Sequence, residues 1–229
     1  MPRGPRALIF DFDGVIVDDE PLHLAAFQEA LAAEGITLTR EAYYARYLGF
    51  DDEGVFNAIA RDRGLKVSDA DVASLVARKG DRMKELLHSG AVLFPGAIEF
   101  IRDAAAAVPI GIASGAQRHE ILEIIDAAGV GDLFASVVAS GDTPESKPSP
   151  APYQLAFRRL CAASGRPLDP RRSVAIEDSR WGLESAQGAG LRLVGVTSSY
   201  PAHELVGAEL VVSGLDSLTL AALDRLCAA

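Results

Sequence analysis

The sequence predicts an α/β fold, in which a doubly wound parallel sheet forms the core and an all-helical cap is inserted after the first strand. Three observations predict it. From about residue 93 onward, short apolar runs alternate with amphipathic helical segments, a pattern typical of a parallel sheet with helices on both faces. An apolar run at 7–10 has the same character, although it lies far away in the sequence. The residues between, about 20–90, contain helical patterns and no convincing strand.

The elements of the core follow from this alternation of apolar runs and amphipathic stretches. Strands are expected at 7–10, 108–113, 137–139, 173–176, 193–196 and 210–212. Helices are expected near 97–107, 116–128, 150–163 and 180–189. Because a helix connects most pairs of strands, the sheet is expected to be parallel.

Start and stop signals divide the insert into helices. Residues 22–33 form a strong helical pattern that Gly35 closes. Thr39 is a candidate N-cap for a second helix, and Asp51 or Asp52 is a candidate for a third. These side chains carry an oxygen that can accept a hydrogen bond from the free amides of the first helical turn.

A fourth helix of the insert is expected after residues 68–71, which resemble a capping box, and is expected to run toward His88. The sequence therefore predicts two domains. Residues 1–19 and 91–229 are expected to form the α/β core domain, and residues 20–90 the helical cap domain.

The composition limits the possible partners and location. A net charge of −10 and a pI near 4.9 argue against a nucleic acid or an anionic membrane as partner. They do not exclude an anionic small substrate, because a metal ion and a few cations can reverse the local field. Cys161 and Cys227 stand alone, without a disulfide framework, so we expect a reducing, cytoplasmic environment. No apolar run approaches the length of a membrane span, and a monomer is expected, with an oligomer left open.

The most informative motif is an acidic pair, Asp11 and Asp13, followed by Gly14. The pair follows the buried strand expected at 7–10. Adjacent like charges do not stabilise a buried strand, because desolvating an anion is costly. The carboxyl end of a parallel strand is, however, where α/β folds bind ligands. One carboxylate can attack a substrate while its neighbour transfers a proton.

Three further motifs follow expected strands. Ser114 and Gly115 come directly after one strand, where a hydroxyl can donate to a phosphate oxygen. Lys147 lies in a proline-flanked loop, which fixes its direction. Glu177 and Asp178 form a second acidic pair. Taken singly, each has an ordinary explanation: a Ser-Gly turn, a surface lysine, or a helix N-cap. Their joint occurrence favours a magnesium site that binds a phosphate, because Mg²⁺ prefers carboxylate, water and phosphate oxygens.

This ordered set of motifs resembles the haloacid dehalogenase-like superfamily of phosphotransferases. It is most similar to the helical-cap branch that holds β-phosphoglucomutase and phosphoglycolate phosphatase-like enzymes. The motifs are DxDGV at 11–15, serine at a strand end, Lys-Pro, and Glu-Asp-Ser-x-x-Gly at 177–182. The resemblance covers nearly the whole chain and implies a Rossmann-like core with a mobile helical lid.

The resemblance also implies a mechanism. Asp11 is expected to attack phosphorus and form an aspartyl-phosphate, and Asp13 to protonate the leaving oxygen and then activate water. Mg²⁺ is expected to be held by Asp11, the backbone carbonyl of Asp13, and Asp178, with Glu177 contributing directly or through water. Ser114 and Lys147 are expected to hold the transferring phosphoryl group of a small phosphorylated metabolite.

Three further residues are candidate substrate-site residues. His23 matches the position of a histidine that helps to position the acid/base aspartate in β-phosphoglucomutase-like proteins. Lys79 lies on the long cap helix where related caps offer a lysine to the substrate, and Arg118 is a possible second cation. The alternative for Lys79 is a solvated charge on a helix face, and for Arg118 an ordinary helix residue.

Several functions share these core residues. The leading expectation is a Mg²⁺-dependent phosphatase, since residues 48–53, Leu-Gly-Phe-Asp-Asp-Glu, lack the arginine with which mutases grip a distal phosphate. A sugar-phosphate mutase is the first alternative, and a non-catalytic ligand-binding protein is the second. A phosphonate hydrolase is also conceivable, and it would need a Schiff-base lysine such as Lys79 or Lys84. The sequence does not determine which phosphorylated metabolite is the substrate.

Overall fold

A computed structural model of the chain describes residues 6–87 and 93–228. Its centre is a six-stranded sheet in the order β3-β2-β1-β4-β5-β6, with every neighbouring pair parallel. The strands are β1 Ala7–Phe10, β2 Ile110–Ala113, β3 Phe134–Val138, β4 Ser173–Glu177, β5 Arg192–Val196 and β6 Leu210–Val212. The first strand of the chain thus lies in the middle of the sheet, and the doubly wound α/β class is confirmed.

The central strand β1 is buried on both faces because its side chains alternate between two hydrophobic cores. Leu8 and Phe10 belong to one core, and Ala7 and Ile9 to the other. Phe10 packs edge-on against Phe134 of β3, with ring centroids 6.2 Å apart. The central position between β2 and β4 therefore requires all four residues of β1 to be apolar.

Five helices belong to the core part of the described chain: α5 Ala97–Ala107, α6 Arg118–Ala127, α7 Ala151–Ser164, α8 Arg180–Gly188 and α9 Leu220–Leu226. The elements match the expected ones, with shifts at some ends. β2 begins at Ile110 because Val108 is the C-cap of α5. β3 begins at Phe134, earlier than expected. The sequence pattern did not show this start because the small Ala135 and the polar Ser136 interrupt the apolar run.

Four helices follow β1: α1 Glu20–Ala32, α2 Arg40–Arg46, α3 Asp52–Asp62 and α4 Asp69–Leu87. The expected caps are confirmed, since Thr39 accepts a hydrogen bond from the amide of Ala42 and Asp51 accepts one from Gly54. The capping box at the start of α4 is present between Ser68 and Asp71. The expected end near His88 lies outside the described residues.

The four helices pack around Phe27, whose ring lies 5.7 Å from Tyr43 and 5.3 Å from Phe56 between centroids. The second connection between insert and core includes residues 88–92, outside the described part, so the division at residues 19/20 and 90/91 stays a prediction. In the described ranges, no helix combines the length and the apolar character needed to cross a bilayer.

Candidate active site

The four motifs meet at the carboxyl edge of the sheet. Asp11 directly follows β1, Ser114 follows β2, and Glu177 is the last residue of β4. Because β2, β1 and β4 are neighbours in the sheet, the ends of these strands lie side by side. Lys147 reaches this edge from the loop before α7, and its Nζ lies 2.9 Å from Oδ1 of Asp11.

Asp11 is a buried carboxylate that combines a cation with a backbone donor. Its Oδ1 also accepts a hydrogen bond of 2.7 Å from the amide of Phe12. Burial, together with the neighbouring negative charge of Glu177, raises the pKa of Asp11 to about 7, although Lys147 lowers it. The site as it stands therefore carries an excess of negative charge.

Lys147 is held by a second buried carboxylate and an aromatic ring. Its Nζ lies 2.6 Å from Oε1 of Glu177, and the same oxygen accepts a 2.8 Å hydrogen bond from the hydroxyl of Tyr153. The ammonium lies 5.2 Å from the centroid of the Tyr153 ring. Burial lowers the pKa of Lys147, but Asp11 and Glu177 together raise it above its usual value, so the side chain stays charged.

The residues expected to hold Mg²⁺ lie together. One carboxylate oxygen each of Asp11, Glu177 and Asp178 lies within 4.8 Å of the other two. Burial, with Asp11 and Glu177 adding negative charge, raises the pKa of Asp178 well above its usual value. Hard oxygen donors with an uncompensated negative charge fit a divalent cation. A side chain at Gly14, where φ is +77°, would overlap the carboxylate of Asp178, so this approach requires glycine.

Glu177 differs from the other two acids because its oxygens already have protein donors. Oε1 accepts from Lys147 and Tyr153, and Oε2 accepts from the hydroxyl of Ser179 at 3.2 Å. The amides of Asp178 and Ser179 also point to Oε2. These contacts favour an indirect contribution of Glu177 to the metal, through the position of Lys147.

Asp13 lies at the boundary between core and cap. Its Oδ2 lies 3.4 Å from the hydroxyl of Ser114, and its Oδ1 lies 3.8 Å from Nε2 of His23. Burial, then the charge of Asp19, raises the pKa of Asp13 well above its usual value, while His23 lowers it. A carboxyl group whose pKa is raised is better suited to general acid catalysis.

His23 lies between Asp13 and a buried lysine. Its Nδ1 is 3.0 Å from Nζ of Lys79, which in turn lies 3.1 Å from Oδ1 of Asp52. Burial and the Lys79 charge lower the pKa of His23, but Asp13 and Asp19 raise it, with a net rise to about 10. Lys79 is fully buried, so it is not a solvated charge on a helix face. Its contact with substrate stays a prediction.

Arg118 makes contacts away from these carboxylates. Its guanidinium lies 2.5 Å from Asp142 and donates to the carbonyl of Val137 at 3.1 Å. Arg159 shares the same carboxylate at 3.1 Å. The side chain of Arg118 is 44% exposed, and the residue is not among those that line the cavity below. The geometry favours a structural role over the expected contact with substrate.

A cavity of about 30 Å³ lies between the helices α1–α3 and the carboxyl edge of the sheet. That volume holds about two waters. Its walls include Asp11, Asp13, Gly115, Lys147 and Asp178 of the core, and Glu20, His23, Phe50 and Asp52 of the insert. Ser114 lines a neighbouring pocket, which also includes Gly115 and Lys147.

Direct contacts close the insert over the core. The ring of Phe50 lies 5.7 Å from that of Trp181. Arg180 donates a 2.7 Å hydrogen bond to the carbonyl of Ala45, and the hydroxyl of Tyr200 donates to the backbone carbonyl of Tyr44. No sequence pattern pointed to Tyr153, to Asp19 or to the role of this interface. Single polar or aromatic residues on helices carry no signal in the pattern, and only their contacts reveal them.

Comparisons with known proteins agree with the fold and with the motifs. A family model described as haloacid dehalogenase-like hydrolase matches residues 8–196. Protein CbbY of Rhodobacter capsulatus is 35% identical over 202 residues, covering 85% of this chain and 86% of that protein. Phosphoglycolate phosphatase of Pectobacterium atrosepticum is 27% identical, covering 88% and 84%.

Solved structures show the same architecture. A crystal structure of a CbbY variant from Rhodobacter sphaeroides, in complex with xylulose-(1,5)bisphosphate, has a TM-score of 0.84 and 30% identity, covering 96% of this chain and 99% of that one. β-Phosphoglucomutase from Clostridium difficile, at 21% identity and a TM-score of 0.83, shares the fold. Because the family model covers most of the chain and CbbY is similar over nearly its full length, this chain belongs to the haloacid dehalogenase-like hydrolase family.

Proposed function

We propose that this protein is a Mg²⁺-dependent phosphatase that hydrolyses a small phosphorylated metabolite through an aspartyl-phosphate on Asp11. One observation carries the proposal: Asp11, Lys147 and the acids Glu177 and Asp178 converge at one edge of the sheet, with Asp13 beside them. The relatives named phosphatases support this class of reaction.

In the first step, an oxygen of Asp11 attacks phosphorus and the bond to the leaving oxygen breaks. Asp13, whose pKa is raised by burial, gives its proton to the leaving oxygen. In the second step, Asp13 takes a proton from water, which attacks the same phosphorus and releases inorganic phosphate and free Asp11. Each step thus uses Asp13 in the protonation state that the previous step leaves.

The negative charge of the transferring group needs compensation, because phosphate and Asp11 are both anions. Lys147 supplies one charge at 2.9 Å from Asp11, and the hydroxyl of Ser114 would donate a hydrogen bond to the phosphoryl group. Mg²⁺, held by Asp11, Asp178 and the backbone carbonyl of Asp13, would neutralise further charge on the equatorial oxygens. Glu177 acts on this site by orienting Lys147.

Substrate entry requires the insert to move away from the core. The cavity of about 30 Å³ is too small for a phosphorylated metabolite, because it holds about two waters. Closure around the substrate would then exclude bulk water from Asp11 until the leaving group has departed.

A mutase would share the core residues but needs a grip for a second phosphate. In the described part of the cap, the loop at 48–51 presents Leu48, Gly49 and Phe50 to the cavity and no cation. Phosphatase activity is therefore favoured over phosphoryl transfer between two positions of a sugar.

The experiment is a phosphate-release assay over a panel of phosphorylated metabolites, with and without Mg²⁺. The wild type is expected to release phosphate only with the metal. Asp11→Asn removes the nucleophile, so the variant is expected to lose release while keeping its fold. Release that persists in Asp11→Asn would overturn the assignment of the nucleophile. Formation of an isomeric sugar phosphate without free phosphate would establish a mutase instead.

A further inference from the structure

The cap side of the cavity is acidic. Asp52 and Glu20 line it from the insert, while the basic side chains that line it are His23 and Lys147. Lys147 is already paired with Asp11 and Glu177. His23 lies between Asp13 and Asp19, at 3.8 and 3.6 Å. Among the described lining residues, the lysine is thus engaged by two carboxylates and the histidine lies beside two more, so a second anionic group of a substrate would find no free cation.

Asp52 has one satisfied and one unsatisfied oxygen. The residue is only 5% exposed, and its Oδ1 lies 3.1 Å from the fully buried Nζ of Lys79. Its Oδ2 is buried and has no hydrogen-bond partner in the described structure. A buried carboxylate oxygen without a donor is costly, and because Asp52 lines the cavity, a bound molecule can supply that donor.

Asp52 also keeps Lys79 from acting on an anion in the cavity. The ammonium has Asp52 at 3.1 Å, His23 at 3.0 Å and the ring of Phe27 at 5.2 Å from its centroid. Lys79 is itself absent from the cavity lining. The charge that could have attracted a second phosphate is therefore neutralised within the cap.

We propose that Asp52 determines the substrate class: its free oxygen accepts a hydrogen bond from a hydroxyl group of the leaving group, and its pairing with Lys79 removes an ammonium that could otherwise hold a second anion. The substrate class is then the phosphate monoester of a neutral, polyhydroxylated alcohol, such as a sugar or polyol. This inference rests on the proposed phosphatase function. Glu20, whose Oε2 accepts from Tyr43 at 3.0 Å, adds a second carboxylate to the same wall.

The physical basis is a difference in binding between close analogues. A site built to accept a hydrogen bond from a hydroxyl discriminates strongly against an analogue that lacks it, because the buried acceptor stays unpaired. An analogue with an added phosphate must bury a second anion with no free cation to pair with it, which is costly. Both analogues should therefore be poor substrates, for separate reasons.

The test compares four substrates with Mg²⁺: sorbitol 6-phosphate, hexyl phosphate, sorbitol 1,6-bisphosphate and para-nitrophenyl phosphate. Wild-type kcat/KM is expected to be at least about tenfold higher for sorbitol 6-phosphate than for hexyl phosphate or the bisphosphate. In Asp52→Asn, the kcat/KM for sorbitol 6-phosphate divided by that for the bisphosphate is expected to fall about tenfold, because the charge of Lys79 is no longer neutralised. The control is Glu53→Gln, which removes the same charge from an exposed acid one residue further along the helix. It should leave the kcat/KM of sorbitol 6-phosphate unchanged relative to both hexyl phosphate and the bisphosphate.

The outcomes separate the two proposals. Turnover of para-nitrophenyl phosphate without a preference for the polyol monophosphate, or with equal use of the bisphosphate, would overturn the role of Asp52 and leave the phosphatase intact. No metal-dependent turnover of any of the four would count against the phosphatase itself. Ratios measured on the wild type decide the substrate class even if Asp52→Asn does not fold. If it folds and its ratios equal those of the wild type, Asp52 is not the determinant.

Discussion

Lys147 and Glu177 form a buried ion pair, with 2.6 Å between Nζ and Oε1, and the exposed fractions of the two side chains are 4% and 0%. Such a pair costs desolvation free energy, and truncating one partner leaves an uncompensated buried charge. The pair is therefore better explained by function than by stability: Glu177 directs the ammonium at Asp11.

Tyr153 supports that geometry through its hydroxyl, which donates to Glu177 at 2.8 Å. Tyr153→Phe is expected to lower kcat several-fold, because Glu177 then holds Lys147 less firmly, and to lower the free energy of unfolding by about 1 kcal/mol. Tyr47→Phe is the matched control, since its hydroxyl donates to Asp62 at 2.9 Å within the cap. Steady-state kinetics and urea unfolding check both; an equal loss of stability in the two variants without any change in kcat would refute the role of Tyr153.

Gly14 should be sensitive to substitution because Asp178 occupies the space of its side chain. Gly14→Ala is expected to raise the Mg²⁺ concentration for half-maximal activity, since a methyl group would displace the Asp178 carboxylate. Gly35→Ala has a similar φ of +70° but no atom within 4 Å of the added carbon. It should therefore show only the backbone cost, about 1 kcal/mol of stability. Magnesium titrations of activity distinguish the two, and a normal titration for Gly14→Ala would contradict the proposed metal site.

Arg118 is expected to stabilise the fold without binding substrate. Arg118→Ala should leave KM unchanged and lower the free energy of unfolding by at most about 1 kcal/mol, because the pair with Asp142 is partly exposed. Arg159→Ala, which removes the other partner of Asp142, should behave alike. A several-fold rise in KM for Arg118→Ala alone would restore its role as a substrate cation.

Asp142 gives a pH dependence whose sign follows from its pKa. Burial raises that pKa, but the donors Arg118, Ala139 and Arg159 outweigh it and hold the pKa below 3.8. A depressed pKa means that the stabilisation is complete above the unfolded-state value and is lost as the pH falls through the folded-state value. Asp142→Asn should therefore be less stable than the wild type at pH 7, with the difference shrinking below about pH 4. Urea unfolding from pH 7 to below about pH 4 measures the difference in the free energy of unfolding between the two proteins. A difference that grows as the pH falls would contradict the depressed pKa of Asp142.

Trp181 is the single tryptophan of the chain and lies at the interface between insert and core. Its ring contacts Phe50 of the cap loop and Tyr200 of the core. Phe50→Ala is expected to shift tryptophan emission to the red, because water reaches the ring, whereas Leu65→Ala, at an exposed cap position, should not. Identical emission spectra for the wild type and Phe50→Ala would show that this contact does not form in solution.

Much of the fold and site could be predicted because their signals are local in sequence. The apolar run at 7–10 and the alternation after residue 93 predicted the sheet. Residue type predicted Thr39 as one cap and Asp51 or Asp52 as another, and the structure selects Asp51. The carboxylates at 11 and 177–178 were predicted to lie together because each follows a buried strand. The structure brings one oxygen of each within 4.8 Å of the others, and Lys147 pairs with Asp11 and Glu177.

The rest depends on contacts that no local pattern contains. Lys79 lies on an amphipathic helix, where a charge is usually solvated, and only the packing of α1 and α3 against α4 buries it between His23 and Asp52. Tyr153 looks like an ordinary core aromatic until Glu177 is found at its hydroxyl. Arg118 is four residues from Ser114 in sequence, but its side chain reaches to Asp142.

The central claim is that Asp11 carries the phosphoryl group during turnover. The direct measurement is mass spectrometry of peptides from enzyme quenched in acid during turnover with Mg²⁺ and a good substrate. One phosphoryl group is expected on the peptide that contains Asp11, removable by hydroxylamine and absent from Asp11→Asn. Rapid turnover with no phosphoryl group on that peptide, or with the phosphoryl group on another residue, would contradict the account.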